Sequence, residues 1–236
     1  MGPLGVISGT VFIDTACFGR GEEKIAVNPF GRAEVLLWEN MVFIPRHGRN
    51  PREYVLPHLI NHQANIQALK DLGVLEIVGI HSTGSLKKDL IPGTIVIPND
   101  YIMMGQAPTV FGNRPVHITP SLNAGLRAHL LDAAQTCGVA VTDGGIYWQT
   151  PGPRFETKAE IAMMSHFADL VGMTMGSEAV IAQELDLVYA SICSVDNYAH
   201  GLGDKSLTMD EVVVNAKKNA EAMIGMIRQY MERRGI

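Results

Sequence analysis

Small hydroxyl, glycine and basic residues follow directly on apolar stretches at five separated points of the chain: Ser8-Gly9-Thr10, Arg46-His47-Gly48-Arg49, His81-Ser82-Thr83-Gly84-Ser85, Gly172-Met173-Thr174 and Asp196-Asn197-Tyr198-Ala199. Any one of these alone reads as a turn or a cap. Hydroxyls, open backbone N–H groups and an arginine fork converging at the ends of a sheet would together form an anion pocket suited to inorganic phosphate. The better-known phosphate and metal signatures are missing from the sequence. There is no GxGxxG, no Walker A loop and no HExxH. Gly201-Leu202-Gly203-Asp204-Lys205-Ser206 resembles a P-loop by eye, but Asp204 stands where a glycine is needed and would repel phosphate. Ser85-Leu86-Lys87-Lys88 matches SxxK without its companion motifs. Eight histidines show no two-ligand spacing, and Cys17, Cys137 and Cys193 form no CxxC pair. No metal site is expected from these residues, and the cysteine usage fits a reducing cytosol.

Those loops need strands and helices to carry them. Apolar runs without polar alternation at Leu4 to Ser8, Leu75 to His81 and Leu187 to Val195 predict strands covered on both faces. Val35 to Trp38 and Met41 to Pro45 predict a hairpin around Glu39-Asn40, with further short strands at Thr94 to Pro98, Val139 to Tyr147 and Asp169 to Gly172. Helical rhythm marks Pro57 to Leu72, Pro120 to Cys137, Glu156 to Phe167, Ser177 to Leu185 and Thr208 to Arg233. The alternation predicts an α/β fold: one domain over 1–236, with a central mixed twisted sheet flanked by helices. Ligands in such sheets collect at strand ends, where the hydroxyl-rich loops fall.

The 236 residues (25.6 kDa) are 47% hydrophobic and 18% charged, enough for a core that needs no staples. The formal net charge of −5, without a basic stripe, argues against a nucleic-acid binder, since such binding runs on counterion release by clustered Lys and Arg. Arg233-Arg234 reads as a pair of cations at a helix C-terminus. No apolar run approaches the roughly 20 residues of a membrane span. The start MGPLGVISGT lacks the basic and apolar regions of a signal peptide, so a cytoplasmic protein is expected.

GVISGT, PRHGR, NHQANIQALKDLG, TGSL with LIPGTIVIPND, QTPGPRFETKAEI, VGMTMGSEAVIAQEL and YASICSVDNYAHG occur in that order. In motifs and spacing the chain resembles the trimeric purine nucleoside phosphorylase and methylthioadenosine phosphorylase family over nearly its whole length. The resemblance implies reversible phosphorolysis, in which phosphate attacks C1′ of a purine nucleoside and releases the free base. It also implies a homotrimer with sites near subunit interfaces, and phosphate as co-substrate without a metal or an organic cofactor. A phosphate held under the sugar would both attack and stabilise an oxocarbenium-like transition state. By the same resemblance Thr10, Arg46, His47, the Ser82 backbone and Thr174 surround phosphate, Met173 lies against the ribose, Phe155 beside the purine, and His117 reaches a neighbouring subunit's 5′ pocket. His81 and Ser82 stand where the family usually carries Thr or Ala, so His81 reads either as a phosphate contact or as a structural imidazole.

The base and the sugar are read from departures within that resemblance. Adenosine-type members carry two Asp in the last sheet-end loop; here Asn197 and Ala199 take those places and Asp196 sits one residue early. An Asn amide donates to a 6-oxo group and accepts from protonated N7, and Glu156 accepts the N1–H of a 6-oxopurine. Asn197 and Glu156 are the expected catalytic pair. Met209, Val212 and Val213, at i, i+3 and i+4, form an apolar face suited to a thioether rather than a 5′-hydroxyl. The combination describes 5′-methylthioinosine as substrate. Inosine or guanosine, methylthioadenosine, or a purine sensor without catalysis are the alternatives.

Overall fold

The computed structural model describes residues 2–9, 18–203 and 209–235, without the side chains of residues 51, 209–213 and 218. The expected contact of Thr10, and those of Met209, Val212 and Val213, therefore lie outside what is described.

Four parallel strands form the centre: β1 (Leu4–Ser8), β4 (Met41–Pro45), β5 (Glu76–Ser85) and β11 (Val188–Tyr198), paired in the order β4-β1-β5-β11. Their Val- and Ile-rich runs are buried almost throughout, as strands covered on both faces must be. On one side β3 (Gly31–Trp38) forms the expected antiparallel hairpin with β4, and β2 (Glu22–Asn28) extends it. On the other, β10 (Leu170–Gly172) pairs antiparallel with β5 and continues into β9 (Ile146–Gln149) and β7 (Asp100–Met103). Against β11 lies β6 (Ile95–Ile97), followed by β8 (Val141–Asp143).

Helices cover both faces. α1 (His62–Asp71) and α4 (Met175–Glu184) pack Ile66, Leu69, Ala179 and Ile181 onto Ile7, Ile44 and Ile77. On the opposite face α2 (Ala124–Cys137) and α5 (Met209–Arg234) bring Leu126, Leu130, Met226 and Ile227 against Val6, Val78 and Ile192. α3 (Lys158–Met164) closes the far end with Ile161 and Met164 on Leu86 and Val171.

Several expected boundaries shift for local reasons. The helix expected from Pro57 starts only at His62, where Asn61 accepts from the Ala64 N–H and caps it; Pro57–Leu59 is a separate 3₁₀ turn. The helix expected from Glu156 starts at Lys158 behind the capping box of Thr157 and Glu160. Phe155 and Glu156 thus lie in the loop before the helix and not in its first turn. The stretch Val139 to Tyr147 is two strands, because Gly144 and Gly145 take φ +97° and +115° between them. β2 and β7 were not expected; β2 is mostly exposed and β7 short, so neither carries a strong apolar pattern.

Sheet branching at β5 prepares the site. β1 pairs with Glu76 to Gly79, and β10 pairs only with Gly84 and Ser85. Between them, on that side, the stretch from Ile80 to Thr83 has no strand neighbour among the described residues. Because β10 runs antiparallel, the chain leaving it turns back along this gap and brings Thr174 to His81.

Candidate active site

A cavity of about 620 Å³ opens at this gap, lined from the ends of β1, β4, β5, β10 and β11, from the loop before α3, and from α5. Of the expected site residues, Arg46, His47, Ser82, Phe155, Glu156, Met173, Thr174 and Asn197 all line it. His117 is exposed and does not line the cavity of its own chain.

Arg46 sits at the buried end. Its Nε donates to Glu178 Oε1 at 2.7 Å and Nη2 to Oε2 at 3.2 Å. Nη1 donates to the Ile80 carbonyl at 2.6 Å and Nη2 also to the Ile7 carbonyl at 3.2 Å. The guanidinium thus satisfies carbonyls beside the sheet gap, and its bidentate fork grips a carboxylate. The expectation that this fork would clasp phosphate is corrected: Glu178 occupies it. Both partners are almost wholly buried, where an ion pair persists only when its hydrogen bonds are satisfied.

His81 is buried behind Thr174. Its Nδ1 lies 2.9 Å from Thr174 Oγ1 and its Nε2 3.0 Å from the Tyr189 hydroxyl, which donates to Glu178 Oε2 at 3.0 Å. Burial, reinforced by cationic Arg46, holds His81 well below the usual imidazole range. His81 therefore has both nitrogens engaged inside the protein. His47 Nδ1 donates to the Val55 carbonyl at 2.8 Å, and its ring stacks on Tyr54 with centroids 4.5 Å apart. Burial, then Arg46, pulls His47 down to about 4, so its Nε2 carries a lone pair at neutral pH.

Phe155, Glu156 and Asn197 line the same cavity. Phe155 flanks it at the exposed rim, and Glu156 is buried with Oε1 accepting from the Thr150 hydroxyl at 2.6 Å. Asn197 donates one amide N–H to the Tyr198 carbonyl at 2.9 Å, which leaves its oxygen and a second N–H. Gly84 keeps this corner open, since a Cβ there would stand 3.1 Å from Asn197 Nδ2. From α5 the lining, among the described residues, is Ala216, Ala220 and Met223.

Asp196 was set aside in the sequence as one residue out of place, yet it lines the cavity. The pairing of β11 with β5 slips between Val195 and Asn197, leaving Asp196 as the extra residue of a bulge. A bulge breaks the alternation of side chains, so Asp196 and Asn197 both reach the cavity. Ser194 Oγ donates to Asp196 Oδ1, while Oδ2 is buried without a partner among the described residues. Burial pushes this carboxyl up to about 7 against the opposing pull of the Ser194 and Ser82 hydroxyls. Glu178, Tyr189 and Asp196 are thus the site residues that sequence reasoning missed. Only Asp196, an acid amid an apolar strand end, carried a signal. Among the described residues no cluster of His, Cys, Asp or Glu could hold a metal ion.

A mixed sheet flanked by helices, with basic, hydroxyl, carboxylate and amide side chains of its strand ends and loops sharing one cavity, matches the nucleoside phosphorylase class of α/β domain. Residues 20–232 match the family model of the phosphorylase superfamily, and the chain belongs to that superfamily and is an enzyme. It is 40% identical over 235 residues to a "probable 6-oxopurine nucleoside phosphorylase" of Archaeoglobus fulgidus, covering 98% of this chain and 96% of the relative. It is 38% identical over 229 residues to a "probable S-methyl-5′-thioinosine phosphorylase" of Methanothermobacter thermautotrophicus, covering 92% and 79%. Among solved structures, methylthioadenosine phosphorylase from Schistosoma mansoni in complex with adenine superposes with a TM-score of 0.86 at 25% identity, covering 100% of this chain and 92% of that one.

Proposed function

We propose that the enzyme catalyses phosphorolysis of S-methyl-5′-thioinosine to hypoxanthine and 5-methylthioribose 1-phosphate. The observation that carries the reading is that Glu156 and Asn197 line one cavity with Arg46, His47, Ser82 and Thr174. A phosphate oxygen forms the bond to C1′ as the glycosidic bond breaks, and the bonding pair leaves with the purine. Asn197 accepts from N7–H of the departing base and Glu156 accepts from N1–H of a 6-oxopurine. Adenine N1 is itself an acceptor and has nothing to give Glu156. Binding and orienting both reactants in this cavity supplies the proximity, and oriented charge near C1′ stabilises the transition state.

The 5′-thioether preference is supported by Ala216, Ala220 and Met223, the apolar residues that α5 contributes to the lining among the described residues. Action on inosine and guanosine is the second reading, favoured by the names of two relatives, the Archaeoglobus fulgidus protein and the 6-oxopurine nucleoside phosphorylase of Pyrococcus furiosus. The working form is proposed to be a homotrimer, in which the exposed His117 completes a neighbour's 5′ pocket. Comparing kcat/KM for methylthioinosine, methylthioadenosine, inosine and guanosine, with and without phosphate, tests the whole reading. Base release undiminished in phosphate-free buffer would make the enzyme a hydrolase. Sedimentation checks the trimer.

A further inference from the structure

The polar chain behind Thr174 runs in one direction only. Glu178 is paired with Arg46 and accepts at both oxygens, so the Tyr189 hydroxyl, 3.0 Å from Oε2, donates to it. A phenol has one proton, and the Tyr189 oxygen can then only accept from His81 Nε2, 3.0 Å away. Nε2 therefore carries the hydrogen of the neutral ring and Nδ1 is a bare lone pair. The Thr174 hydroxyl, 2.9 Å from Nδ1, must donate to it. Gly79 makes this approach feasible: a Cβ there would lie 2.1 Å from the Tyr189 hydroxyl and 2.6 Å from His81 Nε2. The single proton of Thr174 is thus turned away from the cavity, and its oxygen meets a ligand with lone pairs alone.

We infer that His81 is a positioning residue that makes Thr174 an obligate acceptor, so that the anion corner selects an oxyanion still carrying a proton, such as hydrogen phosphate, over a fully ionised one of equal charge, such as sulfate. The inference rests on the phosphorylase reading of this corner. It also fits the stoichiometry of that reaction. Nucleoside and hydrogen phosphate give the sugar phosphate dianion and a base bearing one added hydrogen, so the proton the base needs enters with the anion.

Titration calorimetry of the wild-type protein at pH 7.5 with phosphate, arsenate, sulfate and monofluorophosphate tests this. Monofluorophosphate matches hydrogen phosphate in charge and shape but lacks its proton. Phosphate and arsenate are expected to bind at least about 30-fold more tightly than sulfate and monofluorophosphate, the consequence of one acceptor facing another in a buried site. In His81→Ala the Thr174 proton is released toward the cavity, and the gap should narrow to less than about fivefold. ¹⁵N NMR of the wild type should show the His81 hydrogen on Nε2, which keeps the question decidable if His81→Ala does not fold. Equal binding of phosphate and monofluorophosphate, or a hydrogen on Nδ1, overturns the inference and leaves the phosphorylase reading standing. Absence of any phosphate binding overturns both.

Discussion

Arg46 is held by a buried carboxylate on one side and two main-chain carbonyls on the other, so its loss acts on the fold as well as on the ligand. Arg46→Ala strands Glu178 as a lone buried charge and should cost about 3–5 kcal/mol in urea denaturation, together with a collapse of phosphate-dependent base release. The double change Arg46→Met with Glu178→Leu should recover most of the stability and none of the activity; an Arg46→Ala protein with an unmoved midpoint would show the pair to be dispensable. Asp196 makes a separate claim on pH. Its folded value of about 7 lies above the ordinary 3.8, so the fold holds its proton more tightly than the unfolded chain does. That stabilisation is full below about pH 4 and is lost as the pH rises through 7. Stability of the wild type relative to Asp196→Asn should therefore fall by roughly 2–3 kcal/mol between pH 5 and pH 8. A gap that stays constant with pH would place the carboxyl in water.

β5 and β11 convert these residues into one site, and each does so through an irregularity. In β5 it is Gly79, where a bare backbone lets the Tyr189 ring cross from β11 to reach His81. Gly79→Ala should lower stability by roughly 1–3 kcal/mol through overpacking and raise KM for phosphate more than it changes kcat. Steady-state kinetics with phosphate varied would expose a purely structural glycine, whose loss would leave that KM alone. In β11 it is the bulge at Asp196, which turns Asn197 and its neighbour into the same cavity.

Substrate choice belongs to the assembled molecule, since the walls of the cavity come from different elements. A methylthio group against Ala216, Ala220 and Met223 should be preferred over a hydroxyl by about 10–200-fold in kcat/KM; equal values for inosine and methylthioinosine would show that this wall does not touch the sugar. A 6-amino base would meet mismatched partners at both Asn197 and Glu156, so methylthioinosine should exceed methylthioadenosine by roughly 30-fold to 10⁴-fold. Comparable rates on the two would return the enzyme to the adenosine type.

The apolar runs of β1, β4, β5 and β11, the hairpin of β3 and β4, and the hydroxyl-rich loops that follow the strands were legible in the sequence. Each is a local pattern, set by side-chain period and by glycine or capping residues a few positions away. That Arg46, His81 and Thr174 stand at the ends of apolar stretches was legible too, but not their partners. Arg46 meets Glu178 across 132 residues, Thr174 meets His81 across 93, and His81 meets Tyr189 across 108. Those meetings depend on where β5 loses one neighbour and gains the next, and on a one-residue slip in β11. Nothing in a local pattern encodes a branch point or a register. Which way the proton of Thr174 points was therefore decided only when the sheet closed and every buried donor and acceptor had to find a partner.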